Sequence, residues 1–350
     1  MENLVKKINL TKIKNVVVNF FAVFSAITFI FTISSLSIIM YFNAPNSFQK
    51  QDAVFMVDNG LTFRQVVNKL RDEKIISHPR VFLYLSRIIG GYNPRVHYGE
   101  YFFEKHSSYY KLLHKMVKGY NSFRKLTIAE GLSNSSIFDI IDHSSGLIGE
   151  IDMDWKNSLK EGSLMPETYF YSYNDSKMAT LRRMESAMSK AVNELWLKRD
   201  PSAAVKTKEE AIILASIIER ETGLESERPK IASVFTNRLR KNIKLQSDPT
   251  VIYSFTHGNK NLERPIRMSD LRNNSSFNTY KIYGLPPSPI CNPGFASIKA
   301  ALNPPATDYL YFVATNNGDH HFSLNLPEHN FYVTKYRQSL KGITAKEGVI

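Results

Sequence analysis

Residues 211–222 read AIILASIIERET: eight residues without a charge, then Glu219, Arg220 and Glu221. A run of this length and pattern predicts a helix, and Thr207 with Glu210 three residues on matches the capping box that would start it. The helix therefore carries two carboxyls at the end of an otherwise apolar segment. Burial there disfavours the ionised form and raises a Glu pKa towards neutrality, the condition for a general acid at physiological pH. At 100° per residue Glu219 shares a face with Ala215 and Ile212, and Glu221 with Ile217 and Leu214, so periodicity does not choose between them. The plainer alternative has both acids at the surface, paired with Arg220 or Arg228.

Working outward, residues 231–239 predict a second amphipathic helix, and Asp248-Pro249 reads as a cap followed by proline at the first helical position. Residues 284–294, GLPPSPICNPG, predict an extended, stiff wall suited to a polymer. Asn292 and Pro293 repeat the cap-plus-proline start for a helix through Leu302. Residues 309–314 and 320–324 flank Asn317-Gly318 as a hairpin, and Pro327 starts the last helix. Towards the N-terminus, residues 178–197 predict a long amphipathic helix, 161–170 a polar loop, 132–141 a helix capped by Ser133 or Ser135, and 124–131 a strand ending in a turn. Earlier still, 53–57 and 97–103 predict strands, with helices from Thr62, over 81–89 and over 107–117. The fold class expected is α+β.

The chain has 350 residues, 43% of them apolar, enough for a sizeable core in at most two domains. A single cysteine, Cys291, excludes an intramolecular disulfide and a cysteine-based zinc cluster. Nine histidines are scattered; His320 and His321 are adjacent on a predicted strand and point to opposite faces, so neither a metal nor another cofactor is expected. Residues 16–42 contain no charged side chain and are long enough to span a bilayer. Their apolar core exceeds that of a cleaved signal peptide and no clear cleavage site follows, which favours an anchor. Lys6, Lys7, Lys12 and Lys14 precede the span, so the tail is expected in the cytoplasm and the rest beyond the membrane, with nucleic acid excluded as a partner. The net charge is +13, and without residues 1–42 it is still +10, a surface that favours anionic partners. The organisation expected is a tail over 1–15, a transmembrane helix over 16–42, a linker over 43–51, a small α/β module over 52–122, a larger α+β domain over 123–340 and a tail over 341–350.

The runs EGSLMPETY (161–169), LASIIERET (214–222), SVFTNRLRKNIKLQSDPTVIYS (233–254), FNTYKIYGLPPSPICNPG (277–294), IKAALNPPATDYLYFV (298–313) and HHFSLNLPEHN (320–330) resemble the YceG-like family of endolytic murein transglycosylases in order and spacing. The resemblance covers about residues 125–335 and implies a YceG-like catalytic domain preceded by a LysM-like module. It makes Glu219 the catalytic acid/base and Glu221 a supporting carboxylate. Glu161, Tyr169, Asn237, Gln246, Asp248, Asn278 and Tyr280 would line or support the cleft, and His320 falls at a family position near it. Met165, Glu167 and Phe277 depart from the family pattern at positions that bear on substrate contacts.

The implied chemistry needs one acid. A protonated carboxyl donates to the oxygen of the β-1,4 bond between MurNAc and GlcNAc, then takes the proton of the MurNAc C6 hydroxyl as that oxygen closes on C1, giving a 1,6-anhydro end. Peptidoglycan glycan strands are then the substrate. A single-pass place in the bacterial cell membrane, the inner one where there are two, would set the domain beside peptidoglycan synthases. Two rival readings stay open: a muramidase-like hydrolase, and a non-catalytic wall-binding scaffold.

Overall fold

A computed structural model describes residues 2–90, 94–119, 122–259, 262 and 264–347, with side-chain surroundings for 14–87, 94–119, 122–259, 262 and 264–339. Lys6, Lys7 and Lys12, whose charges set the expected orientation, lie outside the residues with described side chains. The fold is mixed α+β, and the chain divides after Phe123 into two compact units.

The first unit opens with α1 (Glu2–Asn43), whose segment Lys14–Asn43 contains an 18-residue stretch of mean hydropathy 2.3 and is long and apolar enough to cross a membrane. From Val16 on, the apolar side chains of that segment stand exposed until Phe42, which is fully buried among Phe82, Tyr109 and Tyr110. Next come β1 (Ala53–Val57), α2 (Phe63–Asp72), α3 (Pro79–Gly90), β2 (Gly99–Phe103) and α4 (Tyr109–Lys118), with β1 and β2 antiparallel. Thr62 caps α2 through a full capping box with Gln65. The polar segment after α1 is not a solvated spacer. Asn46 donates to the Ile75 carbonyl at 2.7 Å and Gln49 to the Phe103 carbonyl at 3.1 Å, and both are buried. Gly91, half of the expected stop for α3, lies outside the described residues.

The second unit runs β3 (Arg124–Thr127), α5 (Asn134–Asp142), β4 (Leu147–Ile148), α6 (Met153–Ser158), β5 (Thr168–Tyr171), β6 (Asp175–Ser176), α7 (Lys177–Leu197), α8 (Lys208–Glu221), α9 (Arg228–Arg240), α10 (Asp248–Thr256), α11 (Phe295–Leu302), β7 (Tyr311–Ala314), β8 (His320–Ser323) and α12 (Leu326–Glu347). The strands form two-stranded ladders, β3 with β5, β4 with β6 and β7 with β8. Residues 168–170, expected within a loop, thus belong to a strand that runs on to Tyr171. The larger core gathers round α8, which α9 and α11 flank; Leu214, Ile217 and Ile218 are fully buried there. Four isoleucines cost α8 only tenths of a kcal/mol each in helix propensity. Burying each of the three core side chains returns about 2 kcal/mol, so packing decides the helix.

Candidate active site

Helix α8 begins at the expected cap, with Thr207 accepting from the Glu210 amide at 3.1 Å. Glu210 bonds the Lys206 amide instead of the cap residue's own, so only half of the expected box forms. At the other end the two acids part company. Two positions along a helix turn 200°, and each carboxyl meets a different set of elements.

Glu219 points towards α9 and the start of α11. Its side chain is 4% exposed, one oxygen accepting from the Arg228 guanidinium at 2.8 Å and the other from the Gly294 amide at 2.8 Å. The same nitrogen of Arg228 also reaches Glu130 at 2.7 Å, joining two carboxylates through one guanidinium. Burial raises the Glu219 pKa, while the Gly294 N–H, the buried Ser297 hydroxyl and Arg228 pull it back. Both oxygens are committed to protein donors.

Glu221 turns the other way, into a cavity of about 370 Å³ shared with Arg238, Gln246, Asp248, Tyr280 and Tyr311. It accepts from the Ser247 hydroxyl at 2.5 Å. Burial pushes its pKa up to about 7; Ser247 and Arg238 oppose the shift and Asp248 adds to it. Tyr280 donates to Asp248 at 2.7 Å and has its own pKa raised by burial and that carboxylate. Gln246 stands at φ +50°, a region non-glycine residues rarely adopt, with its amide fixed on the Thr279 carbonyl at 3.1 Å. Arg238, buried behind them, donates to the carbonyls of Leu310 and Leu245 and lies against the Tyr311 ring.

The remaining expected residues serve the frame. Asn237 donates to the carbonyls of Thr307 and Tyr309, and Asn278 to those of Leu271 and Asn273. Tyr169 donates to the Met165 carbonyl at 2.7 Å. Glu161 accepts from the Asn134 amide at 2.8 Å, and burial raises its pKa to about 7, but it does not line the Glu221 cavity. His320 bonds Glu227 through both its amide and Nδ1, each at 2.7 Å, which fastens β8 to the turn before Arg228.

Two expected caps are displaced. Helix α10 is capped at Ser247, so Asp248 is its first residue and is left free to accept from Tyr280. Helix α11 is capped at Gly294, and Asn292 is a buried link instead. Its side chain accepts from the Leu164 amide and donates to Leu132, Asn134 and Glu161. The proline-rich segment is pinned to α8 where the Ile290 amide donates to Ser216 at 3.0 Å, and burial pushes the Cys291 thiol pKa up. Glu130, Ser247, Arg238 and Gly294 escaped the sequence reading. Among the described residues no three or more His, Cys, Asp or Glu gather in a group that could hold a metal ion.

The sequence profile described as the YceG-like family matches residues 55–335. The chain is 41% identical over 182 residues to a Bacillus subtilis (strain 168) protein named endolytic murein transglycosylase, an alignment spanning 51% of this chain and 48% of the relative. It is 29% identical over 185 residues to a Streptococcus pneumoniae (serotype 2, strain D39) protein of the same name, spanning 51% of this chain and 32% of that one. The matches thus cover half or less of these relatives' length. A crystal structure of a YceG-like protein from Listeria monocytogenes is 29% identical with a TM-score of 0.50, covering 81% of this chain and 99% of that one.

Proposed function

Because the chain belongs to the YceG-like family, we propose that it is a membrane-anchored endolytic transglycosylase of peptidoglycan, with Glu221 as its acid/base. The relatives' shared name supports the activity and the substrate. The observation that carries the residue assignment is geometric: Glu221 opens into an aromatic-walled cavity, whereas both Glu219 oxygens are taken by Arg228 and Gly294, and burial raises the pKa of both carboxyls. This reading puts the acid/base on the second acid of the motif, Glu221, where the resemblance implies the first, Glu219.

Protonated Glu221 donates to the glycosidic oxygen, which leaves on the GlcNAc side as positive charge develops on MurNAc C1. The carboxylate then accepts the proton of the MurNAc C6 hydroxyl as that oxygen bonds to C1. One bond breaks, one forms, and the proton returns to the enzyme. Ser247 and Arg238 stabilise the carboxylate between the two transfers, and Asp248 keeps it basic enough to finish the cycle. Tyr280, Tyr311 and Phe312 line the same cavity and give the sugars a partly apolar wall.

One observation favours a second reading. Asp248 lines the same cavity, and a pair of carboxylates is the arrangement of most glycoside hydrolases. Mass spectrometry of uncrosslinked strands treated with the full-length protein in detergent decides: anhydro ends support the transglycosylase, products heavier by one water the hydrolase, and uncut strands neither.

The finer placement follows the same family reading. The tail lies in the cytoplasm and residues 43–350 outside the cell membrane, where residues 52–122 act as a LysM-like module that holds glycan near peptidoglycan synthases. Its strand, two helices and strand around an aromatic core support that role.

A further inference from the structure

The first unit contains a groove of about 430 Å³ that the proposed chemistry does not use. One wall is the face of α1 that carries Ser37, Ile38 and Tyr41; the other is the face of α3 that carries Arg80, Val81 and Tyr84, each set at helical spacing. Leu85 extends the second wall by one turn. Phe82, fully buried next to these residues, meets Phe42 at a ring-centroid distance of 6.3 Å and Tyr109 at 5.4 Å, which fixes α3 against the end of α1.

Three features of the groove point to a lipid. The first is its depth along the span: Ser37 lies 21 residues beyond Val16, roughly 31 Å at 1.5 Å per residue. A hydrocarbon layer is about 30 Å thick, so the groove opens where the acyl region gives way to headgroups. The second is its walls. Ile38 and Val81 are apolar and exposed, and Tyr41 and Tyr84, 47% and 61% exposed, are of the residue type that sits at the membrane–water boundary. The third is charge. Arg80 is exposed in the first turn of α3, which holds no acidic residue, and among the described residues no Asp or Glu lines the groove and no carboxylate bonds this guanidinium. An apolar trough with one unspent guanidinium matches an acyl chain joined to a phosphate.

We infer that the groove between α1 and α3 holds an anionic diacyl phospholipid of the leaflet that the first unit faces, one acyl chain lying along Ile38 and Val81 and the phosphate on Arg80. Lipid held there sets how this unit stands on the bilayer. The inference rests on the membrane-anchor reading above and does not depend on which carboxyl is the acid.

The test uses full-length protein in phosphatidylcholine nanodiscs. Two photoactivatable lipids with a diazirine in the acyl chain, a phosphatidylglycerol and a phosphatidylcholine, are compared at equal mole fraction, and the labelled residues are mapped by mass spectrometry. Label on α3, normalised to that on residues 20–31 of α1, is expected to be roughly fivefold higher with the phosphatidylglycerol probe, the scale of one basic residue at an anionic surface. Arg80→Gln brings this ratio close to one. Val81→Asp, which sets a carboxylate in the apolar wall and suits the first turn of α3, removes the label from α3 with both probes and leaves that on α1. Both variants alter exposed side chains, so the melting temperature is expected to hold. An unlabelled α3 beside a labelled α1, equal label from both probes, a ratio that survives Arg80→Gln or an α3 label that survives Val81→Asp each overturns the inference. So does an isoprenyl pyrophosphate that displaces the α3 label at a lower mole fraction than phosphatidylglycerol, which would give the groove to a carrier lipid. The anchor reading fails separately, if neither probe labels α1.

Discussion

Glu221 and Ser247 are joined by a 2.5 Å hydrogen bond in which the hydroxyl donates to the carboxyl, tying the last turn of α8 to the residue before α10. Glu219, two residues earlier, is bound instead to Arg228 and Gly294. Isosteric amides separate the two roles. Glu221→Gln is expected to lower strand cleavage by at least about 10²-fold with the melting temperature kept, since an amide cannot cycle a proton. Glu219→Gln keeps cleavage within about tenfold but loses about 2 kcal/mol of stability, because Arg228 retains only Glu130 as a charged partner. Kinetics and thermal melts of both variants check this, and the reverse pattern would return the acid to Glu219.

The pH–rate profile tests the same carboxyl. Burial raises the Glu221 pKa from 4.5 to about 7, so activity that needs its proton is full below that range and falls as pH rises through about 7. Ser247 favours the charged form, so Ser247→Ala moves this alkaline limb up; Asp248 disfavours it, so Asp248→Asn moves the limb down. Stability follows the same proton. The folded state holds it between about pH 4.5 and 7 while the unfolded chain has released it, so this group's contribution is fully present below the unfolded value and is lost across that window. A limb that stays in place in both variants would detach Glu221 from the rate.

Gly294 is required for space alone. Its φ of −75° suits any residue, yet a Cβ there would fall 1.7 Å from a Glu130 oxygen. Gly294→Ala is expected to cost about 2 kcal/mol by overpacking and to disturb the amide that binds Glu219. In a Glu130→Ala background the same change costs less, with a coupling of about 1 kcal/mol in a double-mutant cycle. Additive costs would mean that the Glu130 side chain simply moves aside.

These contacts explain what the sequence made legible. Elements set by local rules were plain: the Thr62 box, the Ser133 cap of α5 and the hairpin at Asn317-Gly318 all depend on neighbours a few residues apart. The motif also located the acids on one helix end. What periodicity left open was which acid faces a cavity, because that depends on α9, α10 and α11 arriving from 9 to 75 residues away. Glu130 was overlooked for a related reason: it sits in a short turn segment, and its partner Arg228 is 98 residues on. Asn292 before a proline looks like a cap by every local criterion, and only the packed loop opposite gives its side chain other work.

That link supports the last prediction. Asn292 uses donor and acceptor together, accepting from the Leu164 amide at 2.8 Å while donating to Leu132, Asn134 and the Glu161 carboxyl. Asn292→Asp keeps the acceptor but turns the donors into a carboxylate facing three acceptors. Glu161 is already raised to about 7 by burial, and a second carboxyl beside it raises both. The variant is therefore expected to be least impaired at low pH and to lose stability, by about 2–4 kcal/mol near neutrality, as pH rises through the window between the unfolded carboxyl values and about 7. Asn292→Ala should cost a similar amount with no added pH dependence. Denaturant melts at pH 5 and pH 8 distinguish the two, and parallel pH curves for both variants would mean that the Asn292 amide does not face Glu161 in solution.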